Sequence, residues 1–75
     1  MPRLPALTAR QLVRFLAAQG FVEVRQSGSH LTLRRESDGR TVTVPIHTGQ
    51  DIGRGLLHRI LHDAGLSTED FFRLR

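Results

Sequence analysis

Residues 22–46 read VEVRQSGSHLTLRRESDGRTVTVPI and contain the main fold signal of the chain. Three short runs alternate between apolar and polar residues with the period of a β-strand, and turn signals at 27–28 and 36–39 separate them. Alternating runs joined by short turns predict an antiparallel three-stranded meander. The residues expected on its apolar face are Val22, Val24, Leu31, Leu33, Val42, Val44 and Ile46.

A helix is predicted before this sheet. Thr8 and Gln11 have the spacing of a capping box, in which each side chain bonds the backbone N–H group of the other residue. Apolar residues follow at helical spacing over 12–16. Gly20 is expected to end the helix, because glycine adopts the left-handed conformation of a helix C-terminus without a steric penalty.

Two further helices are predicted after the sheet. The segment from about Arg54 to Ala64 carries an apolar stripe at helical spacing, and Gly65 is expected to end it. Ser67 and Asp70 repeat the capping-box spacing and open a short C-terminal helix. The stripe of the longer helix consists of Leu56, Leu57, Ile60 and Leu61.

These elements predict a single α+β domain over residues 1–75, in the order α-β-β-β-α with a short final helical turn. Residues 1–7 contain two prolines and are expected to form an irregular arm. The apolar face of the sheet has to be covered, and the two main helices are the elements available for that role. The opposite face, with Arg25, His30 and Arg34, is therefore left to solvent or to a ligand.

The charge of the chain favours an anionic partner. Eleven basic residues, all arginine, stand against seven acidic ones, so the formal net charge is +4 with histidine neutral. The planar guanidinium fork matches phosphate oxygens, which makes nucleic acid the first partner to consider. Genome composition is a second explanation for a chain that contains arginine but no lysine.

Two classes of structure are excluded by composition. The chain contains no cysteine, so it can form neither disulfides nor thiolate metal sites. No apolar run approaches the roughly 20 residues of a membrane span.

His30 is the strongest candidate for chemistry. A histidine side chain can accept or donate a proton near neutral pH, and RNA cleavage needs a base for the 2′-hydroxyl, an acid for the leaving 5′ oxygen and cations near the phosphate. Arg25 and Arg34 are predicted one cross-strand step from His30. Gly28 leaves room for a phosphate to approach, and Ser29 can donate a hydrogen bond. From spacing alone, however, an exposed strand histidine more often has no chemical role.

The other three histidines have weaker signals. His58 and His62 are four residues apart on the second helix, a spacing that can bind a metal. Arg59 stands where the HExxH zinc motif has its glutamate, and no third ligand is evident, so a solvated helix face is favoured and no metal or other cofactor is expected. His47, at the end of the third strand, is either a second acid–base group beside His30 or a residue that caps the strand.

Four short segments occur in a specific order: QGF (19–21), VRQSGSH (24–30), DGRTVTVPIH (38–47) and IGRGLLHRILHDAGLS (52–67). In this combination the chain resembles the HicA toxin family, the small mRNA interferases of bacterial HicA–HicB toxin–antitoxin pairs. Together the segments span residues 19–67 of the chain. The combination is what makes the resemblance specific, since GSH alone carries little information.

The resemblance implies a fold similar to the double-stranded-RNA-binding domain. It also implies the toxin of a type II toxin–antitoxin pair, an endoribonuclease that cleaves mRNA without a metal, inhibits translation and works in the cytoplasm. The catalytic histidine of the family lies in its G-S-H motif and falls on His30. A HicB-like antitoxin is expected to cover the active site, and the free toxin is expected to be a monomer. The residues expected to contact RNA are Arg25, Gly28, Ser29, Arg34 and Arg35.

Two other functions stay open from the sequence. One is a double-stranded-RNA-binding-like module that binds RNA without chemistry, and the other is a structural component of a DNA-binding toxin–antitoxin repressor. Growth arrest that a change of His30 alone relieves would separate the enzyme from both. The sequence leaves open whether His30 takes the proton or donates it.

Overall fold

The computed structural model describes residues 3–47 and 49–75. The predicted α-β-β-β-α order is present, with two additional two-residue strands and a short C-terminal helix, so the α+β class is confirmed. The elements in chain order are β1 (Leu7–Thr8), α1 (Ala9–Ala18), β2 (Val22–Ser27), β3 (His30–Arg35), β4 (Arg40–Pro45), β5 (Asp51–Ile52), α2 (Arg54–Asp63) and α3 (Thr68–Leu74).

β2, β3 and β4 form the predicted antiparallel meander, with β3 in the middle. The register places Leu31 opposite Val44 and Leu33 opposite Val42, and all four side chains are buried. Both main helices contact β4. The apolar face of the sheet is therefore covered by helices, while the opposite face of β3 and β4 is left uncovered.

The predicted apolar face of β2 is wrong. All six β2 residues are exposed, and Val22 and Val24 have 60% and 54% of their surface accessible. The register shifts between Glu23 and Arg25, a β-bulge that changes which side chains point to which face. Val22 consequently lies opposite Arg34, on the uncovered face. β2 and β4 are both edge strands, but the two main helices contact β4, so the buried part of the sheet consists of β3 and β4.

The predicted helix caps are confirmed. The Thr8 hydroxyl accepts from the Gln11 backbone at 3.1 Å, and Oε1 of Gln11 accepts from the Thr8 backbone at 2.9 Å. Ser67 and Asp70 form the same reciprocal pair at the start of α3, at 3.0 Å each. At the end of α2, Gly65 has a φ of +74°, and a side chain there would meet Nε of Arg40 at 2.7 Å. Glycine is thus favoured at this position by its backbone conformation, and a side chain there would also have to displace the flexible Arg40 side chain.

The apolar stripe of α2 is narrower than predicted. Leu57, Ile60 and Leu61 are buried against the sheet, but Leu56 is 39% exposed. The stripe prediction is therefore wrong at Leu56. A helix position next to the buried stripe is covered only where another element reaches it, and no element covers Leu56 fully.

The N-terminal arm is more ordered than predicted. Residues 3–6 lie outside helices and strands, but Leu7 and Thr8 form β1, which pairs antiparallel with β5. Leu4 and Leu7 are buried, and Nε of Arg54 donates to the Leu4 carbonyl at 2.9 Å. Burial of these two leucines and the short ladder attach the start of α1 to the start of α2.

Arg35 connects the C-terminal ends of both main helices. Its guanidinium donates to the carbonyls of Gln19, at 3.3 Å, and Ala64, at 3.0 Å, which are the C-cap residues of α1 and α2. Terminal carbonyls lack partners within the helix and carry partial negative charge, so a cation is favourable there. Arg35 also binds Asp38 at 3.1 and 2.7 Å and lies 4.7 Å from the ring centroid of Phe21.

Asp38 makes the stability of the fold depend on pH in the acid range. The side-chain hydrogen bond from Arg35, with a smaller contribution from the Arg40 backbone, lowers the pKa of Asp38 from 3.8 to about 2. A carboxyl group with a lowered pKa in the folded state stabilises the fold above its unfolded pKa, and this contribution disappears as the pH falls to the folded pKa. We therefore expect the free energy of unfolding to decrease between about pH 4 and about pH 2.

The comparison that isolates this effect is Asp38→Asn, measured by urea denaturation at a series of pH values. The variant should lose less stability than the wild type over the same interval. Asp70, whose pKa is lowered first by the backbone of Ser67 and then by Arg73, supplies part of the remaining slope in both proteins. Equal slopes for the two proteins would show that the Asp38–Arg35 pair does not contribute.

Candidate active site

His30 is the first residue of β3 and directly follows the two-residue turn Gly28-Ser29. Its register partners are Ser27 in β2 and Pro45 in β4. Gly28 has a φ of +58°, and a side chain at this position would meet no atom within 4 Å. The turn therefore requires glycine for its conformation, and the surface beside His30 is open on this side.

The uncovered sheet face extends from His30 along β3. His30, Thr32 and Arg34 alternate with the buried leucines, and the register places Arg25 of β2 opposite Thr32. Arg34 pairs with Glu36 at 3.4 Å, but the two side chains are 46% and 83% exposed. An exposed pair of this kind contributes only about 0–1 kcal/mol, so Arg34 can exchange Glu36 for another anion. His30, Arg25 and Arg34 thus share one face.

A groove of about 540 Å³ lies between β4 and α2 and includes His30; we call it the His30 groove. Arg40 donates to the Asp63 carbonyl at 3.4 Å, so the start of β4 lies beside the end of α2. His30 and its partner Pro45 are therefore at the opposite end of the groove, near the first turn of α2. The lining residues are His30, Thr41, Thr43, Pro45, Leu56, Arg59, Ile60 and Asp63.

Arg59 and Asp63 are two charged residues of this groove that the sequence-based site did not include. They are four residues apart on α2, so they project from the same side of the helix. Within residues 3–47 and 49–75, Arg59 takes part in no ion pair. The helical spacing of Leu56, Arg59 and Asp63 indicates a shared face, but that spacing carries no information about which strand the face borders.

His47 lies in a different groove. It is exposed, follows the end of β4 by two residues, and lines a groove of about 340 Å³ with residues that include Thr8 and Arg10. The alternation that placed His47 on the His30 face ends with the strand at Pro45. In the described part of the chain the two grooves share no lining residue, so neither groove contains both histidines.

His58 and His62 are exposed on another side of α2, in a groove that also includes Glu69. Nδ1 of His62 lies 3.9 Å from the Asp63 carboxylate, and the His62 side chain is 84% exposed. The described residues contain no cluster of three or more histidine, aspartate or glutamate side chains that could hold a metal ion. These two histidines thus lie on a solvent-exposed helix face.

Arg35 is separated from the candidate site although it follows Arg34 directly in sequence. Its side chain is only 18% exposed, and its guanidinium is occupied by Asp38 and by the ends of α1 and α2. We therefore leave Arg35 out of the site. The residues that the structure does place around the turn and the uncovered face are Arg25, Gly28, Ser29, His30 and Arg34.

Residues 9–66, from the start of α1 to just beyond α2, match the family model described as "HicA toxin of bacterial toxin-antitoxin". The chain belongs to the HicA toxin family. The match confirms the resemblance seen in the four sequence segments, and it includes the whole three-stranded sheet and every residue of the His30 groove. Among curated proteins, none matches this HicA sequence significantly.

As a HicA protein, the chain is the toxin of a bacterial toxin–antitoxin system, and it has an antitoxin as its partner. In the part of the HicA chain that the structure describes, every helix is too short or too polar to cross a membrane.

Proposed function

We propose that this HicA toxin is a metal-independent endoribonuclease that cleaves mRNA and thereby inhibits translation. The observation that carries the proposal is the position of His30. An exposed side chain capable of proton transfer lies where the arginine-bearing sheet face meets the His30 groove. Its location in the G-S-H motif of a HicA chain supports the same role.

In the proposed reaction, a ribose 2′-hydroxyl attacks the adjacent phosphorus. The O2′–P bond forms and the P–O5′ bond breaks, which leaves a 2′,3′-cyclic phosphate and a 5′-hydroxyl. A base takes the 2′-hydroxyl proton and an acid gives a proton to O5′. His30 performs one of these two transfers, and water in the open groove performs the other.

Arg25 and Arg34 are proposed to stabilise the phosphate during this reaction. Negative charge increases on the non-bridging oxygens in the transition state, and fixed guanidinium groups lower the energy of that state. Gly28 keeps the turn open for the approach of the RNA backbone, and Ser29 offers a hydroxyl donor.

Inhibition is proposed to come from a HicB-like antitoxin that covers His30. The His30 side chain is exposed in the isolated chain, so no described segment of the toxin itself blocks it. We propose that the free toxin is a monomer and that it acts on mRNA in the cytoplasm.

The test of the proposed function is incubation of purified toxin with an in-vitro-transcribed mRNA in excess EDTA. We expect cleavage at the rate seen without chelator, and the same rate for the double variant His58→Ala/His62→Ala, because these histidines have no third ligand in the described residues. Denaturing gels follow the fragments, and phosphatase and kinase treatment identifies their ends.

Two results would overturn the proposal. RNA that is bound but stays intact would make the chain a non-catalytic RNA-binding module. Cleavage that EDTA stops and zinc restores would replace the His30 mechanism with one centred on a metal at α2.

A further inference from the structure

We infer that the His30 groove binds the nucleotide adjacent to the cleaved phosphodiester, and that Arg59 binds the phosphate of that nucleotide. The inference rests on the proposed ribonuclease function and identifies which part of the RNA the site holds. It adds a residue from α2 to a site for which the sequence offers residues of the β2–β3 hairpin and, as a possible second acid–base group, His47.

The groove is continuous with the proposed catalytic residue. His30 itself is one of its lining residues, and the groove continues along the uncovered side of β4 from Pro45 to Thr41. The four residue-to-residue steps from Pro45 to Thr41 cover about 13 Å, at about 3.3 Å each. The volume of about 540 Å³ lies within the range of about 300–1,000 Å³ that is typical of ligand sites. An RNA strand cut at His30 can therefore extend directly into the groove.

The end of the groove near His30 has apolar walls. Pro45 lines it on the sheet side and Leu56 on the helix side, while Ile60 lines the groove further along α2 and is only 3% exposed. Leu56 is 39% exposed, so it offers aliphatic surface to a ligand. Such a surface suits the face of a base or a ribose, while the hydroxyls of Thr41 and Thr43 can bond ribose or phosphate oxygens.

Charge determines where a phosphate can lie in this groove. Arg59 is exposed and lacks an ion-pair partner in the described chain, so its donors are available to phosphate oxygens. Asp63 lies one helical turn further along α2 and repels a phosphate. A strand that starts at His30 therefore places its next phosphate beside Arg59. Near Asp63 it can place only neutral groups, such as base N–H donors that the carboxylate accepts.

The test compares Arg59→Ala with Arg14→Ala. Arg14 is an exposed arginine of α1 outside the groove, so both variants lose the same charge. Binding is measured by fluorescence anisotropy with a short labelled single-stranded RNA of mixed sequence, in the His30→Ala background so that the probe stays intact. KM and kcat for cleavage of the transcript are measured with variants that keep His30.

We expect Arg59→Ala to raise Kd and KM about tenfold, which corresponds to about 1.4 kcal/mol, because a charge-assisted contact is lost. The kcat should stay within about twofold, since Arg59 holds the substrate without touching the reacting atoms. The slope of log affinity against log salt should become shallower by about 0.7. Arg59→Lys should recover part of the affinity, and Arg14→Ala should match the parent protein.

The failures of the two proposals are distinguishable. If the wild type cuts RNA and Arg59→Ala equals Arg14→Ala in Kd and KM, the nucleotide site is overturned and the ribonuclease function stands. Weakened antitoxin binding by Arg59→Ala with unchanged RNA affinity would also overturn it and would assign the groove to the protein partner. A wild type that leaves RNA intact overturns the ribonuclease function itself.

Discussion

His30→Ala should lower the rate of mRNA cleavage by at least about 100-fold while leaving the fold intact. Positioned acid–base groups contribute about 10²–10⁴-fold to reactions of this kind. The His30 side chain is exposed at the start of β3, and exposed substitutions usually change stability by less than about 0.5 kcal/mol. The two measurements are the initial rate of transcript cleavage and the thermal unfolding curve followed by circular dichroism.

Two other histidine variants serve as controls for this result. His62→Ala removes a side chain that is 84% exposed and lies outside the His30 groove, so it should cleave at the wild-type rate. His47→Ala tests for a second acid–base group, and its separate groove leads us to expect activity close to wild type. Of these three histidine variants, only His30→Ala should relieve the growth arrest that expression of the toxin causes in cells. A folded His30→Ala protein that still cuts RNA at the wild-type rate would remove His30 from the mechanism.

Arg35→Ala should destabilise the fold by about 2–4 kcal/mol. Hydrogen bonds to a charged group contribute about 1.5–3 kcal/mol each, but the Asp38 partner is partly exposed and adds less. The main loss is at the carbonyls of Gln19 and Ala64, where the ends of α1 and α2 no longer have their shared donor. For a domain of this size, we expect the Tm to fall by at least about 8 °C. Urea denaturation and calorimetry measure both quantities.

The matched control is Arg34→Ala, one position earlier in the chain. Arg34 is 46% exposed and pairs only with the solvent-exposed Glu36 among the described ion pairs, so its loss should change stability by less than about 0.5 kcal/mol. Arg35→Lys should fall between the two, since lysine keeps the charge but cannot bond two carbonyls and a carboxylate with one planar group. Equal stability of Arg35→Ala and Arg34→Ala would show that the helix ends do not depend on this guanidinium.

The opposite orientations of Arg34 and Arg35 also bear on the proposed recognition of RNA. A β-strand sends successive side chains to opposite faces, so one arginine faces the proposed RNA surface and the next faces the helix ends. The cluster Arg25, Arg34 and Arg35 that the sequence suggests is therefore divided by the sheet. Arg59 of α2 lines the same groove as His30 and supplies a cation there that does not come from the β2–β3 hairpin.

Local signals were sufficient for the helices, the turns and the centre of the sheet. The capping boxes at Thr8 and Ser67 join residues three positions apart, and the Gly28-Ser29 turn involves adjacent residues. Such features depend on backbone geometry that a few neighbouring residues specify on their own. The same holds for the outward orientation of His30 and Arg34, which follows from their alternation with Leu31 and Leu33 in a strand that is half buried.

Features that depend on contacts between distant segments could not be predicted from local sequence signals. Val22 and Val24 alternate correctly, yet they are exposed because β2 is bulged and the main helices pack on β4 at the other edge of the sheet. Leu56 fits the helical period, yet α2 turns it towards the groove, where it borders the same space as Arg59 and His30. Periodicity specifies which residues share a face of one element, whereas the partner of that face depends on how whole elements pack. For this toxin, that packing brings α2 beside His30. It also places the C-terminal ends of α1 and α2 within hydrogen-bonding distance of the Arg35 guanidinium.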